Sequence, residues 1–139
     1  MSPKLFKMDK GLLLVQNWLN TLHGYNSALI TSLYSNSGVL LGTLATEPLV
    51  GLSEIKSYFD EFVELKPLGV VTWHNTRKLG CRRICVDGNY TFCLNDKEDP
   101  DKRKEVQARF TFVFKRFWFG EWAILTHHSS EVPKEKTQI

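Results

Sequence analysis

The sequence lacks every short pattern that announces a well-known catalytic centre. It has no H-E-x-x-H, no paired C-x-x-C, no G-x-G-x-x-G, no Walker A loop and no G-x-S-x-G. Zincin-type, dinucleotide-binding, P-loop and nucleophile-elbow chemistries are not encoded by spacing. Cysteine is also scarce: Cys81, Cys85 and Cys93 are odd in number and make no disulfide framework, so they read as small buried or half-buried thiols. No apolar stretch approaches membrane-spanning length. The opening MSPKLFKMDKGLLLVQNWLN has a short apolar run and no small-residue cleavage site, which argues against a secretory signal. The expectation is a soluble, reduced chain without a targeting segment and without a membrane partner. It would be cytoplasmic, or plastid if cut from a longer precursor. One-signed charge is missing too. Net charge is +3, and the densest run, DKEDPDKRKE, alternates in sign, so no nucleic-acid partner is expected.

What is present suits one domain with a real core. The chain has 139 residues, of which 42% are hydrophobic, including nine Phe, four Trp and four Tyr. Residues 10–133 form the expected domain, with flexible ends at 1–9 and 134–139. Leu12, Val15, Trp18, Leu19 and Leu22 recur at helical spacing, predicting a helix over 10–22 that His23-Gly24 stops. A short helix follows over 26–34, then the turn cluster Ser35-Asn36-Ser37-Gly38 and a strand over 39–44. Ser53 is the expected N-cap of a third helix, 54–65, with Glu54 in its first turn.

From Gly69 the apolar period changes to two. Strands are expected over 69–77, 81–86, 89–95, 105–116 and 121–130. Asp87-Gly88 is read as a tight hairpin turn that places Cys85 across from Tyr90. Helices first and strands after predict a segregated α+β fold. An antiparallel sheet curling around the long helix makes a cone with an internal pocket. The second face of the sheet, expected to be rich in aromatics, calls for a covering partner.

The polar ending Thr126-His127-His128-Ser129-Ser130 is the densest candidate for chemistry. Neighbouring residues on a strand point to opposite sides, so His127 and His128 cannot easily share a metal. Regular alternation groups Ile124, Thr126, His128 and Ser130 on one face, and Leu125, His127 and Ser129 on the other. One His–Ser pair therefore enters the pocket. Arg109, within an aromatic strand, needs an anionic or hydrogen-bonding partner and suits an anion holder.

The ending ARFTFVF–turn–EWAILTHHSSEVP resembles the calcium/calmodulin-dependent kinase association domains, which have the nuclear-transport-factor-2-like cone fold. Together with LLGTLATEPLVG and EIKSYFDEFVELKP it resembles, more narrowly, the iota-class carbonic anhydrases, from about Trp18 to Pro133. That resemblance implies reversible hydration of CO2 to bicarbonate in a homodimer or higher homo-oligomer. It implies catalytic roles for Thr43, Tyr58, His128 and Ser130, with Arg109, His127 and Ser129 binding substrate. Matching the ending from its proline backwards favours His128 and Ser130 as the pair in the pocket. No metal site and no cofactor are expected, although some relatives prefer manganese. The chain departs from the family pattern at Gly42, where Pro is expected, at Thr46-Glu47, and at Phe117-Trp118-Phe119, where a polar turn is usual. Two alternatives stand beside this one. The first is a non-enzymatic oligomerisation hub or ligand-binding domain. The second is an isomerase or hydrolase, which would want a pocket carboxylate.

Overall fold

Asp9 caps the first helix by accepting the Leu12 N–H at 2.8 Å, and helix α1 (Lys10–Leu22) follows. The structure, a computed structural model, describes residues 8–134. The expected flexible ends fall outside that range except for Met8, Asp9 and Lys134. Asp9 is tied down further, accepting from Thr76 Oγ1 at 2.9 Å and lying 3.2 Å from His74 Nε2.

Val15, Trp18, Leu19 and Leu22 give α1 one buried face. Helix α2 (Ser27–Thr31) is shorter than expected, because Tyr34 already belongs to strand β1 (Tyr34–Leu41). Strand β2 (Leu49–Val50) precedes α3 (Leu52–Phe62), and a single 3-10 turn, Val63–Leu65, ends it. Ser53 is not the cap. Gly51, at φ 86°, takes that position, and the Glu54 carboxylate reaches back to the Val50 N–H at 3.0 Å. The remaining strands are β3 (Leu68–Lys78), β4 (Arg83–Asn95), β5 (Arg103–Arg116) and β6 (Trp122–Glu131).

The six strands form one sheet in the order β2-β1-β6-β5-β4-β3. It is not antiparallel throughout, because β1 runs parallel to β6. These strands meet across most of the chain, with α3 between them, and a long crossover allows what a hairpin forbids. The helices cover the concave face. Trp18 lies against Tyr90, Phe92, Phe112, Phe59 and His127, joining α1 and α3 to the sheet. The aromatic residues of β4 and β5 (Tyr90, Phe92, Phe110, Phe112, Phe114) all point inward into this core. The expectation of an aromatic second face fails: among the described strand residues, Trp73 is the exposed aromatic ring.

Asp87-Gly88 is not a turn. Both residues lie inside β4, thirteen residues long, and the hairpin closes instead between Lys78 and Arg83, with Gly80 at φ 88°. Each residue has a strand role. A Cβ on Gly88 would sit 2.4 Å from the Trp73 carbonyl oxygen and 2.5 Å from the Phe110 ring, so glycine permits a close approach. The Asp87 carboxylate accepts from Arg77 at 2.8 Å on one neighbouring strand and from Thr111 at 2.5 Å on the other. Cys85 therefore pairs with Arg77 and Val113, not with Tyr90.

Candidate functional site

The parity of β6 decides the site. In β5–β6, Val113 pairs with Thr126 but Phe114 pairs with Ile124, so Leu125 is an extra residue. On the other side, Tyr34 pairs with Ile124 and Val39 with Thr126, leaving Ser35–Gly38 bulged out of β1. The expected turn cluster is this bulge. Because of the extra residue Leu125, Ile124, His127 and Ser129 share the inner face, and regular alternation does not hold. His127 is 2% exposed and Ser129 is buried. His128 and Ser130 point outward, which overturns the preference for that pair. Arg109 is exposed on the same outer face, its Nε 3.4 Å from Ser130 Oγ, and does not hold anions in the pocket.

The inner pair belongs to a continuous hydrogen-bonded chain. Trp18 Nε1 donates to Tyr34 Oη at 3.1 Å, and Tyr34 Oη lies 2.8 Å from His127 Nδ1. His127 Nε2 lies 3.2 Å from Tyr90 Oη, which donates to Ser129 Oγ at 2.6 Å. Ser129 Oγ is 2.6 Å from Thr43 Oγ1. Indole can only donate, so Tyr34 accepts there and satisfies its own proton by donating to Nδ1. That assigns the Nε2–H tautomer to His127, which donates to Tyr90, and the same sense carries through Ser129 to Thr43. The last hydroxyl proton, on Thr43, is left for the cavity.

Sequence reasoning missed Trp18, Tyr34 and Tyr90. From sequence, Tyr34 is expected in a helix and Tyr90 in a hairpin around Asp87-Gly88, and the structure has neither. The usable signal was that a core tyrosine or tryptophan needs a polar partner.

The cavity lies between the sheet and α3 and has a volume of about 90 Å³. Leu40, Phe59, Phe62 and Phe92 make apolar walls, Thr43, Tyr58, Tyr90, Ser129 and His127 supply neutral polar groups, and Asn95, Lys97, Lys104 and Glu131 also line it. The volume suits a few waters or one very small molecule. Thr43 follows the end of β1 and Tyr58 projects from α3. The Leu44 N–H approaches Tyr58 Oη at 3.5 Å, so the phenolic proton is directed elsewhere. Gly42 makes this position possible, because a Cβ there would lie 2.6 Å from the Tyr58 ring. A shallow depression on the outer side is lined by His128, Ser130 and Glu47, and also by Thr43 and Ser129. These two hydroxyl residues thus separate the inner cavity from the exposed imidazole.

Burial among aromatic rings, with a smaller push from the neighbouring His128, brings His127 down to about 3. Its ring stacks on Phe112 with centroids 3.8 Å apart, as a neutral imidazole can. Burial pushes Tyr58 up to about 12, and moves Tyr34 and Tyr90 upward as well. All these groups are neutral near pH 7. The donor set does not fit manganese, which favours carboxylate, carbonyl and water ligands. Here both imidazole nitrogens are engaged and the other donors are neutral hydroxyls, with Glu131 the one carboxylate lining the cavity. Among the described residues, no three His, Cys, Asp or Glu side chains converge as metal ligands would.

A curved sheet with helices on its concave face and a pocket between them defines the nuclear-transport-factor-2-like, cystatin-like fold. The chain is similar in structure to a ketosteroid isomerase-like protein from Erwinia carotovora atroseptica, with a TM-score of 0.73 and 12% identity over 91% of this chain and 99% of that one. The sequence matches the family described as calcium/calmodulin dependent protein kinase II association domain over residues 11–133, and the chain belongs to that family. A Xanthomonas campestris protein named after the same domain is 34% identical, covering 96% of this chain and 95% of its own, with a TM-score of 0.85. The association domain of C. elegans calcium/calmodulin dependent protein kinase II is 17% identical over 86% of this chain and 91% of its own, with a TM-score of 0.68. No curated protein shows significant similarity to the chain.

Proposed function

We propose that the chain is a carbonic anhydrase of the iota kind, hydrating CO2 to bicarbonate with neutral hydroxyl groups. The observation that carries this reading is the polarised chain ending at Thr43 in a small, apolar-walled cavity. CO2 is small, apolar overall and develops negative charge on oxygen as it is attacked. Phe59, Phe62 and Leu40 accommodate the molecule, and the Thr43 and Tyr58 hydroxyls face one of its oxygens. Water attacks the carbon, a new C–O bond forms, and the C=O electron pair moves onto the oxygen held by the hydroxyls. Preformed donors in a low-dielectric site stabilise that charge without reorganising.

His127 does not take the water's proton. With its acidity near 3, protonation at pH 7 would cost about 5 kcal/mol. Its role is to fix the direction of the hydroxyls, which makes it a positioning residue. The proton leaves towards solvent, and His128, in the depression beyond Thr43 and Ser129, is the imidazole placed to relay it. The outer pair is thereby given a supporting role in place of a catalytic one.

Membership of an association-domain family supports a homo-oligomer and keeps a second reading open, a non-enzymatic assembly hub whose pocket binds a small ligand. An isomerase of the pocket-carboxylate type is disfavoured, because the deep polar groups are hydroxyls and a neutral imidazole. Stopped-flow CO2 hydration on chelator-treated protein separates these. Activity is expected to survive the chelator and to fall at least 100-fold in the double variant Thr43→Val, Tyr58→Phe. Full activity in that folded variant sinks the assignment, and inactivity of the unaltered protein under all conditions favours the hub.

A further inference from the structure

The end of the sheet remote from the HHSS cluster carries two adjacent hairpin tips, one between β3 and β4 and one between β5 and β6. Arg83 pairs with Lys115, and Arg116 N donates to Arg82 O at 2.8 Å, so the tips sit side by side. The second tip is closed by Gly120 N–H to Phe117 O and Phe117 N–H to Glu121 O, both at 2.8 Å, with Gly120 at φ 86°. Trp118 and Phe119 occupy its corner and are 81% and 78% exposed. Turn corners ordinarily carry Asn, Asp, Ser, Pro or Gly, because nothing there is buried by folding. Two large aromatic rings, 5.1 Å apart and against each other, therefore have no folding role at this corner. A Cβ on Gly80 or Gly120 would meet nothing within 4 Å, so both tips stand in open space.

Charge is concentrated at the same place. The tips hold five cations (Lys78, Arg82, Arg83, Lys115, Arg116) and one carboxylate, Glu121, whereas the rest of the chain has thirteen cations and fourteen carboxylates. The whole net positive charge thus originates here, drawn from two segments more than thirty residues apart in sequence. This is why the balanced overall composition concealed it.

We propose that these tips dock the protein on an anionic lipid bilayer, with Trp118 and Phe119 entering the headgroup region and the flanking cations on the lipid charge. Trp, with its polar N–H edge, settles at that depth, Phe adds apolar area to insert, and Lys and Arg beside them add attraction to acidic headgroups. A protein partner would want a broad surface of about 800 Å². A protruding corner offers too little area for that but suits insertion. Among the described residues no helix is long and apolar enough to cross a membrane, and insertion of a turn corner with flanking cations is a peripheral, reversible mode of attachment.

Sedimentation of the full chain with vesicles tests this. Vesicles of phosphatidylcholine containing phosphatidylserine are expected to pellet the protein at low salt, and phosphatidylcholine alone is not. Trp118→Ser with Phe119→Ser, and separately Arg82→Glu with Arg83→Glu, should each lower the apparent affinity at least tenfold. Trp73→Ser, which removes an exposed ring on the outer sheet face, should leave it unchanged. Circular dichroism checks that each variant folds. Absence of pelleting, or equal pelleting of the Trp118→Ser/Phe119→Ser variant, overturns the proposal. So would a lower assembly mass for the tip variants, which would make the corner a contact between copies. Preference for a single-stranded oligonucleotide over vesicles would overturn it as well.

Discussion

His127 and His128 are neighbours in sequence and live in opposite surroundings. One is enclosed by Trp18, Phe112 and two tyrosine hydroxyls, and the other faces solvent beside Ser130 and Arg109. Chemically the pairs His127–Ser129 and His128–Ser130 are the same. What differs is the enclosure, and with it the neutral state imposed on His127 and the freedom of each hydroxyl to turn. The inner pair has exchanged titration for orientation. The contrast shows that residue type alone does not define a site; the strand's parity does, and one extra residue, Leu125, sets that parity.

The sharpest test of this contrast is acid stability. An unfolded histidine titrates near 6.5, whereas His127 is held at about 3, so the unfolded chain binds the proton first as pH falls. Stability contributed by keeping His127 neutral is complete above pH 6.5. It is lost progressively from there down to about pH 3, by up to about 5 kcal/mol. Urea unfolding from pH 7 to pH 4 should show that slope, and His127→Gln, which keeps a donor and an acceptor, should flatten it. His128→Gln, which removes only the smaller push on His127, should change the slope far less, and an equal effect from both would erase the distinction.

Next comes the hydroxyl comparison. Ser129→Ala breaks the chain between Tyr90 and Thr43 and should lower CO2 hydration about 100-fold, while Ser130→Ala should change it less than twofold. Parallel losses in kcat/KM would refute the inner–outer division. The smallest expected effect is at Gly42. Gly42→Ala forces the Tyr58 ring to shift and should cost about 1–3 kcal/mol of stability, with a severalfold loss of activity. Thermal unfolding together with the same hydration assay measures both.

Much of the fold was legible because its signals were local and strong. The α1 stripe and the switch to period two after Gly69 follow from side-chain periodicity, whereas the inward phenylalanines of β5 run against the expected aromatic second face. The failures have one physical source: features that depend on a neighbouring strand. Asp87-Gly88 has the composition of a tight turn, but Arg77 and Thr111 satisfy the aspartate and the Trp73 backbone needs the glycine. Ser35–Gly38 likewise has the composition of a turn and serves as a bulge in β1 where it pairs with β6. Thr43 and Tyr58 line the cavity together with Ser129, whereas Arg109 does not, because its parity on β5 is outward. Tyr34 and Tyr90 were invisible as site residues because nothing in their own segments distinguishes them from core aromatics.

One consequence belongs to Trp18. A string of hydroxyls and a neutral imidazole can be written in either direction with the same number of bonds, so by itself it is a symmetric object with two equivalent settings. Trp18 removes the symmetry, since an indole has a proton to give and no lone pair with which to receive one. A residue on the first helix thereby acts as a boundary condition, and the sign of the electric field at Thr43 is decided five hydrogen bonds away. The molecule obtains a directed polar wall from neutral groups alone.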